Sequence, residues 1–514
     1  MNTPRFFLLI SVALSVMLML GGCSTKKNTA ASRNYAAFIT RYNIYYNGDK
    51  HYKETLQEME KNYEDDYTRT LFSHPAEARN NPKSPQPQGD FTRSIEKAQK
   101  AIQLRSIKKR PARKPGRNQS AEYKAWLKRD EYNPFLHNAW MMMGRSQYMN
   151  GDFLGAASTF FYVSKHFVWL PQTVTEAKIW QARSYCSMDW LFETETIMSR
   201  IKQDELTNKN LKELYNVTYG DFYVKSGKYA EAVPYLQKGA ELSSGAQKTR
   251  LYFLLGQMLE RLGRKGEAYQ AFRKAGSSSS ASYRTKFTAR IKQREVFEGN
   301  DIKQEVNALR RMTRYGRNRE YLDQIYYAIG NLYLSRRDTT QAIENYKLAV
   351  EKSTRGGIEK ALAQITLGAL YFNRHQYEKA QPCYSEAISQ IPEDYPDYKV
   401  LKRRSDVLDE LAIYSQNVTL QDSLLRLSHM TVEEQEKIIR GIIKELEEKE
   451  KKEAEDARRE EYLAQQAAAG TGLNNNSASS PNTFVLNSDN SWYFYNTATR
   501  NAGKTEFQRR WGSR

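Results

Sequence analysis

Along most of the chain, apolar residues recur three and four positions apart, the spacing of one face of an α-helix. The pattern is sharpest from Tyr326 to Pro392. There Tyr326, Ile329, Gly330 and Tyr333 precede Ala342, Tyr346 and Ala349. Thr366, Leu367, Gly368 and Tyr371 likewise precede Ala380, Tyr384, Ala387 and Pro392. In both segments an alanine follows the glycine by twelve positions, and an aromatic follows four later. The spacing predicts helical hairpins in which Gly330 and Gly368 let the first helix lie close to Ala342 and Ala380. The large residues then lock one hairpin onto the next. Trp140, Met143 and Gly144 lead in the same way to Ala156 and Phe160. Gly220 and Tyr223 lead to Ala232 and Leu236, and Gly256 and Leu259 to Ala268, Phe272 and Ala275. Trp180, Ala182 and Tyr185 mark a degenerate copy, and residues 277–320 one more helical pair. Gly151, Gly227 and Gly263 fall between paired helices, where a left-handed backbone is cheap only for glycine.

The flanks are less regular. Tyr35–Tyr46 reads as a helix closed by Asn47-Gly48-Asp49, with His51–Tyr63 returning against it. Residues 73–90, rich in Pro and Asn, read as loop, and Phe91–Ile107 as helix. Lys108, Lys109, Arg110, Arg113, Lys114 and Arg117 then surround Pro111, Pro115 and Gly116. This is either a solvated loop or a docking segment for an acidic protein face or anionic lipid. Val400–Met430 reads as an atypical hairpin that caps the array. Ile438, Ile439, Ile442, Ile443 and Leu446 form a stripe on a helix that runs into the charged stretch Glu447–Arg459. Residues 466–483 read as a flexible linker. Trp492-Tyr493-Phe494-Tyr495-Asn496 beyond it is strand-like, either a segment to dock on a partner or a sheet edge or one that packs back on its own solenoid.

The repeat spacing resembles the tetratricopeptide repeat, a helix–turn–helix unit of about 34 residues. The expected fold is an all-α tetratricopeptide-repeat solenoid with a disordered linker and a short aromatic C-terminal segment. Its divisions are a signal peptide over 1–22, a tether over 23–34 and N-terminal hairpins with a basic loop over 35–133. The repeat array over 134–430, a charged helix over 431–465 and the linker and tail over 466–514 follow. Composition fits a soluble helical chain, with 40% hydrophobic and 27% charged residues and 35 tyrosines to bridge neighbouring hairpins. The net charge of +20 favours acidic partners or anionic surfaces. Cys186 and Cys383 read as small core residues.

No catalytic constellation emerges. None of the six histidines has a second histidine at metal-ligand spacing, and neither His-Glu-x-x-His nor Gly-x-Ser-x-Gly occurs. Gly503-Lys504-Thr505 lacks the glycine that a phosphate-binding loop needs five positions earlier, where Ala498 stands. The reading is non-enzymatic, with no metal, no cofactor and no small-molecule substrate.

The start of the chain supplies an address. Arg5 precedes the apolar run Phe6–Leu20, and Leu20-Gly21-Gly22-Cys23 follows. This is a secretory signal, and it resembles the bacterial lipobox, with cleavage between Gly22 and Cys23 and a lipid on the Cys23 sulfur. Neither an Asp after Cys23 nor an acidic export cluster is present. The expected place is the periplasmic face of the outer membrane, where a nucleic-acid partner is excluded.

Several features together resemble one family. They are the lipobox, the opening Arg41-Tyr42-Asn43-Ile44-Tyr45-Tyr46-Asn47-Gly48, the repeat array, the Gln421-Asp422-Ser423-Leu424 segment, and the closing Trp492-Tyr493-Phe494-Tyr495-Asn496 with Trp511-Gly512. The chain resembles the PorW/SprE lipoproteins of Bacteroidetes. The resemblance implies an outer-membrane lipoprotein of the type IX protein secretion machinery, which in some species supports gliding. It would link the periplasmic ring to the outer-membrane translocon. Family members extend beyond the Trp-Gly motif, whereas this sequence stops at Arg514. By template position, the groove residues for protein partners are Gln324, Tyr327, Asn331, Leu334, Ile365, Ala369 and Phe372, joined by Trp492, Tyr493, Phe494 and Tyr495 of the tail. Two alternatives are a SusD-like glycan-binding lipoprotein and a BamD-like outer-membrane assembly factor.

Overall fold

In a computed structural model, residues 28–112, 120–299, 301–393, 395 and 397–471 are described. All regular elements among them are helical, with no strand. The chain folds as two compact units, Met1–Glu305 and Val306–Arg514. The boundary falls inside the stretch read above as one array.

The first unit opens with α1 (Ala30–Ile39), a π-helical turn (Thr40–Tyr45) and α2 (Tyr46–Asn62). The expected turn at Asn47-Gly48-Asp49 is therefore absent, because the backbone stays helical through Gly48. The glycine serves a close approach instead: a Cβ there would lie 2.6 Å from Met142 Cε and 3.1 Å from Lys97 Cβ. Ser94 donates to the Gly48 carbonyl at 3.0 Å in the same contact. After α3 (Thr92–Arg105) and the short α4 (Ala121–Leu127) the hairpins begin. They pair α5 (Leu136–Met149) with α6 (Phe153–His166), and α7 (Pro171–Ser187) with α8 (Leu191–Met198). Next, α9 (Lys209–Lys225) pairs with α10 (Tyr229–Leu242), and α11 (Gly245–Arg261) with α12 (Lys265–Ser277). α13 (Tyr283–Glu295) packs on α12, and α14 (Lys303–Met312) carries the boundary between the units.

The second unit holds α15 (Leu322–Ser335) with α16 (Thr339–Lys352) and α17 (Ile358–Asn373) with α18 (Tyr377–Gln390). The expected terminal hairpin over Val400–Met430 is a single helix, α19 (Tyr398–Ser428), packed on α18 through Leu408 and Arg404. No residue between Tyr398 and Ser428 supplies the glycine or proline that would break it. α20 (Val432–Thr471) follows and extends past residue 465 into the stretch read as linker.

The glycine rule of the repeats is sharper than the sequence spacing implied. A Cβ on Gly144 would lie 2.7 Å from Phe160, on Gly256 2.6 Å from Phe272, and on Gly220 2.9 Å from Leu236. On Gly330 it would overlap Tyr346, and on Gly368 it would stand 3.0 Å from Tyr384. In each hairpin the glycine faces the large residue sixteen positions on, across its own pair of helices. The nearest neighbour of the glycine is thus the large residue one helical turn beyond the alanine at twelve, a ring in four hairpins and Leu236 in the fifth. Phe160, Phe272, Tyr346 and Tyr384 are fully buried there, each contributing about 1.5–3 kcal/mol by burial. Rings also join successive hairpins. Trp180 on α7 lies 5.3 Å from Tyr148 and 5.8 Å from Phe160 of the preceding pair. Gly151, Gly227 and Gly263 take positive φ in the inter-helix turns, as their positions predict. Asp189, Arg337 and His375 hold the same turn position in other hairpins with φ near +60°.

Candidate partner-binding grooves

The first helix of each hairpin lines one face of a solenoid, the face that a repeat protein offers to an extended ligand. In the first unit that face is occupied by the chain itself. After α2 ends at Asn62, residues Tyr63–Asn80 leave the helical register and cross the first helices in reverse order. They run from α13 over α11 and α9 to α7.

Each step of the crossing has a partner. Tyr67 Oη lies 2.7 Å from Thr285 Oγ1 on α13. Its ring packs 5.0 Å from Phe253 on α11. Asp65 Oδ2 meets Arg250 Nη2 of α11 at 2.8 Å, both side chains being buried. Gln257, about two turns further along α11, reads the backbone: its amide donates to Arg69 O at 2.8 Å and accepts from Leu71 N at 3.0 Å. Gln247 donates to Ser73 O at 2.7 Å. Leu71 sinks into the apolar cluster of Leu251, Leu254 and Leu255. The segment then turns into a 3₁₀ helix, Pro75–Asn80, started by His74, whose Nδ1 accepts from Ala76 N at 3.2 Å.

Glu77 forms the deepest contact, with 1% of its surface exposed. Its carboxylate lies 3.7 Å from Arg183 of α7 and 3.7 Å from Lys225 of α9, and accepts from Ser73. Lys225 also reaches Asp221 at 3.5 Å and the Cys186 carbonyl at 2.9 Å. Burial pushes the Glu77 carboxyl above its ordinary range, with Asp221 adding to the rise and Lys225 and Arg183 opposing it. Burial likewise raises Asp65, against the pull of Arg250. His74 is driven well below the imidazole range by burial first, then by Arg183 and Arg250.

This crossing lies largely outside what the sequence reading identified. Residues 73–90 were expected as loop, yet Ser73–Ala78 are buried. The available signal was Tyr63, Tyr67, Leu71 and Phe72, four large apolar residues in a stretch with no helical continuation, which must be covered by something. Its counterpart was the cations Arg183, Lys225 and Arg250 on helices whose other residues read as core.

The predicted groove residues lie on α15 and α17 of the second unit, and most are already engaged. Gln324 donates to Glu359 at 3.3 Å. Asn331 accepts from the Tyr346 hydroxyl at 2.7 Å. Tyr327, Leu334, Ile365 and Phe372 are half-buried around one core with Leu367 and Tyr371. Ala369 is half-buried on the same helix as Phe372. Arg404 of α19 stands 5.1 Å over the Phe372 ring. Gly22, Cys23, Trp492, Tyr493, Phe494 and Tyr495 lie outside the described residues, as do residues 113–119 of the basic run. Lys108, Lys109 and Arg110 are exposed. On α20, Ile439, Ile442, Ile443 and Leu446 are about half exposed. Cys186 and Cys383 are free thiols, the first buried against Asp221 at 3.2 Å.

Among the described residues, no three His, Cys, Asp or Glu side chains stand together as a metal site, and no helix is long and apolar enough to cross a membrane. Residues 220–282 and 323–351 match tetratricopeptide-repeat family models. No curated protein matches the chain. Among solved structures it is similar to NprR in complex with its cognate peptide NprX, at 14% identity over 58% of this chain and 98% of that one, TM-score 0.30. The TPR domain of P58(IPK) is similar at 12% identity over 63% and 94%, TM-score 0.20. The APC/C hetero-tetramer Cut9-Hcn1 is similar at 11% identity over 75% and 89%, TM-score 0.23. Repeats of this kind are scaffolds that hold protein partners. With two matched segments and the same contact between a glycine and the large residue sixteen positions on in five hairpins, the chain is a tetratricopeptide-repeat-containing protein with an all-α solenoid fold.

Proposed function

We propose that the protein is a non-enzymatic lipoprotein scaffold of the type IX secretion machinery. Lipid on Cys23 holds it at the periplasmic face of the outer membrane, and its helical hairpins link the periplasmic ring to the translocon. The observation that carries this reading is a lipobox, Leu20-Gly21-Gly22-Cys23, placed ahead of a solenoid built to hold proteins. The basic balance of the chain suits acidic partner faces. The inward positions of α15 and α17 and the apolar stripe of α20 are the surfaces offered.

Cross-linking in native envelopes followed by capture of the tagged chain tests the reading. Ring and translocon proteins are expected in the capture, and a Cys23→Ser chain is expected to lose membrane association. Capture without either class of protein overturns it. Proteolysis of intact cells separates the readings by side: a periplasmic linker survives, whereas a surface glycan binder is cut.

A further inference from the structure

The segment Tyr63–Asn80 is held as a receptor holds a peptide. Its backbone is read by side-chain amides: Gln257 engages both Arg69 O and Leu71 N, and Gln247 engages Ser73 O. Such contacts recognise any extended chain and ignore its sequence. Selectivity comes from two anchors of different kinds. Tyr67 and Leu71 fill apolar sites on α11, and Asp65 and Glu77 meet Arg250, Arg183 and Lys225. Within itself the segment has one short 3₁₀ helix and a turn in which Asp66 accepts from Thr68 and Arg69, and the groove holds the stretches on either side of that turn.

The fit is incomplete. A cleft of about 380 Å³ remains beside Tyr63, Asp65 and Leu71 against Arg250, Ser282 and Thr285. A second, of about 290 Å³, lies on the other flank beside His74 and Arg183. Arg250 Nη1 and Glu77 Oε2 are buried without a hydrogen-bond partner among the described residues. Buried charges whose hydrogen bonds are unfinished gain little over water. Placement on the same chain, at high effective concentration, adds to these contacts in holding the occupant.

We propose that the first-helix face of α7, α9, α11 and α13 is a receptor for an extended acidic protein segment, with Tyr63–Asn80 as its resident occupant, and that an external segment docks there by displacing it. Arg250 and the Arg183–Lys225 pair are the two carboxylate sites of that receptor, and Gln247 and Gln257 its backbone clamps. This stands independently of the secretion reading, since it concerns only what the groove accepts.

The test uses the full chain and a fluorescein-labelled synthetic peptide of residues 63–80. Fluorescence anisotropy is expected to show no binding to the unaltered chain at micromolar peptide. A D65A/E77A chain, whose own segment has lost both carboxylates while the groove keeps its cations, is expected to bind the peptide. A peptide carrying the same two alanines is expected to bind that chain about tenfold more weakly or worse. Binding to the unaltered chain as strong as to the variant overturns the proposal, since the groove is then not occupied. No binding to a folded variant also overturns it. Should D65A/E77A fail to fold by circular dichroism, L71G, which removes one of the two apolar anchors and leaves Tyr67, takes its place. If neither folds, the segment is a fixed part of the core and the proposal falls.

Discussion

Arg250 Nη2 and Asp65 Oδ2 stand 2.8 Å apart, across 185 positions of sequence, with both side chains buried. The short distance and the raised carboxyl of Asp65 point in opposite directions. Burial costs this carboxylate more than one guanidinium returns, so the pair fixes the path of the segment without much net gain. Arg250→Met leaves Asp65 buried and uncompensated and is expected to destabilise the first unit by about 3–5 kcal/mol. Arg250→Met with Asp65→Asn is expected to recover much of that loss. Chemical denaturation of the four chains of the cycle measures it, and simple addition of the two single losses would refute a direct pairing.

Gly256 tests the glycine-to-ring rule. A Cβ there meets Phe272 at 2.6 Å, inside contact distance of a fully buried ring. In an exposed helix, alanine for glycine gains about 1 kcal/mol. Gly256→Ala is instead expected to lose about 1–3 kcal/mol, because Phe272 has no open side to move into. Gly256→Ala with Phe272→Leu is expected to be more stable than Gly256→Ala alone if the ring is the obstacle. Thermal melts of the three chains decide it.

Arg337 gives the opposite sign. It is exposed and takes φ of 59° in the turn between α15 and α16. A side chain in that region costs about 1 kcal/mol, which glycine does not incur. Arg337→Gly is expected to stabilise the second unit by about 0.5–1 kcal/mol, read as a shift in denaturation midpoint. Loss of stability would mean that the guanidinium holds a contact stronger than the strain it causes.

How much of this was legible follows from what each residue has to satisfy. Gly330, Ala342 and Tyr346 announced their hairpin because helical packing repeats the same demand every turn. The turn glycines announced theirs because only one backbone conformation closes the hairpin. Gly48 was misread as a stop because a glycine that ends a helix and one that admits Met142 leave the same letter. α19 was divided in two because polar residues such as Gln421 and Asp422 interrupt its apolar spacing, although nothing there breaks the backbone. Residues 63–80 were least legible. Their order is imposed by Gln247, Gln257, Arg183 and Arg250, side chains far along the sequence, and no local period records such a constraint.

His74 sets the response of that segment to acid. Its Nδ1 accepts from Ala76 N and starts the 3₁₀ helix, so the neutral ring carries its proton on Nε2, which points toward Glu60 at 4.0 Å. Arg183 and Arg250 act on the ring, and Arg145, Glu176 and Glu213 line the same cleft. The folded ring holds a proton far less readily than its ordinary value of 6.5. As pH falls through that value the unfolded chain takes up a proton that the folded chain refuses, and stability is lost from there downward. Asp65, Glu60 and Glu77 oppose this. Their folded carboxyls are raised, so their contribution is present in acid and fades as pH rises through the folded values. His74→Asn keeps an acceptor for Ala76 N and removes the titration. Between about pH 7.5 and about pH 5.5 the unaltered chain is expected to lose more melting temperature than His74→Asn. Equal losses in the two chains would remove His74 from the acid response and leave it to groups outside this segment.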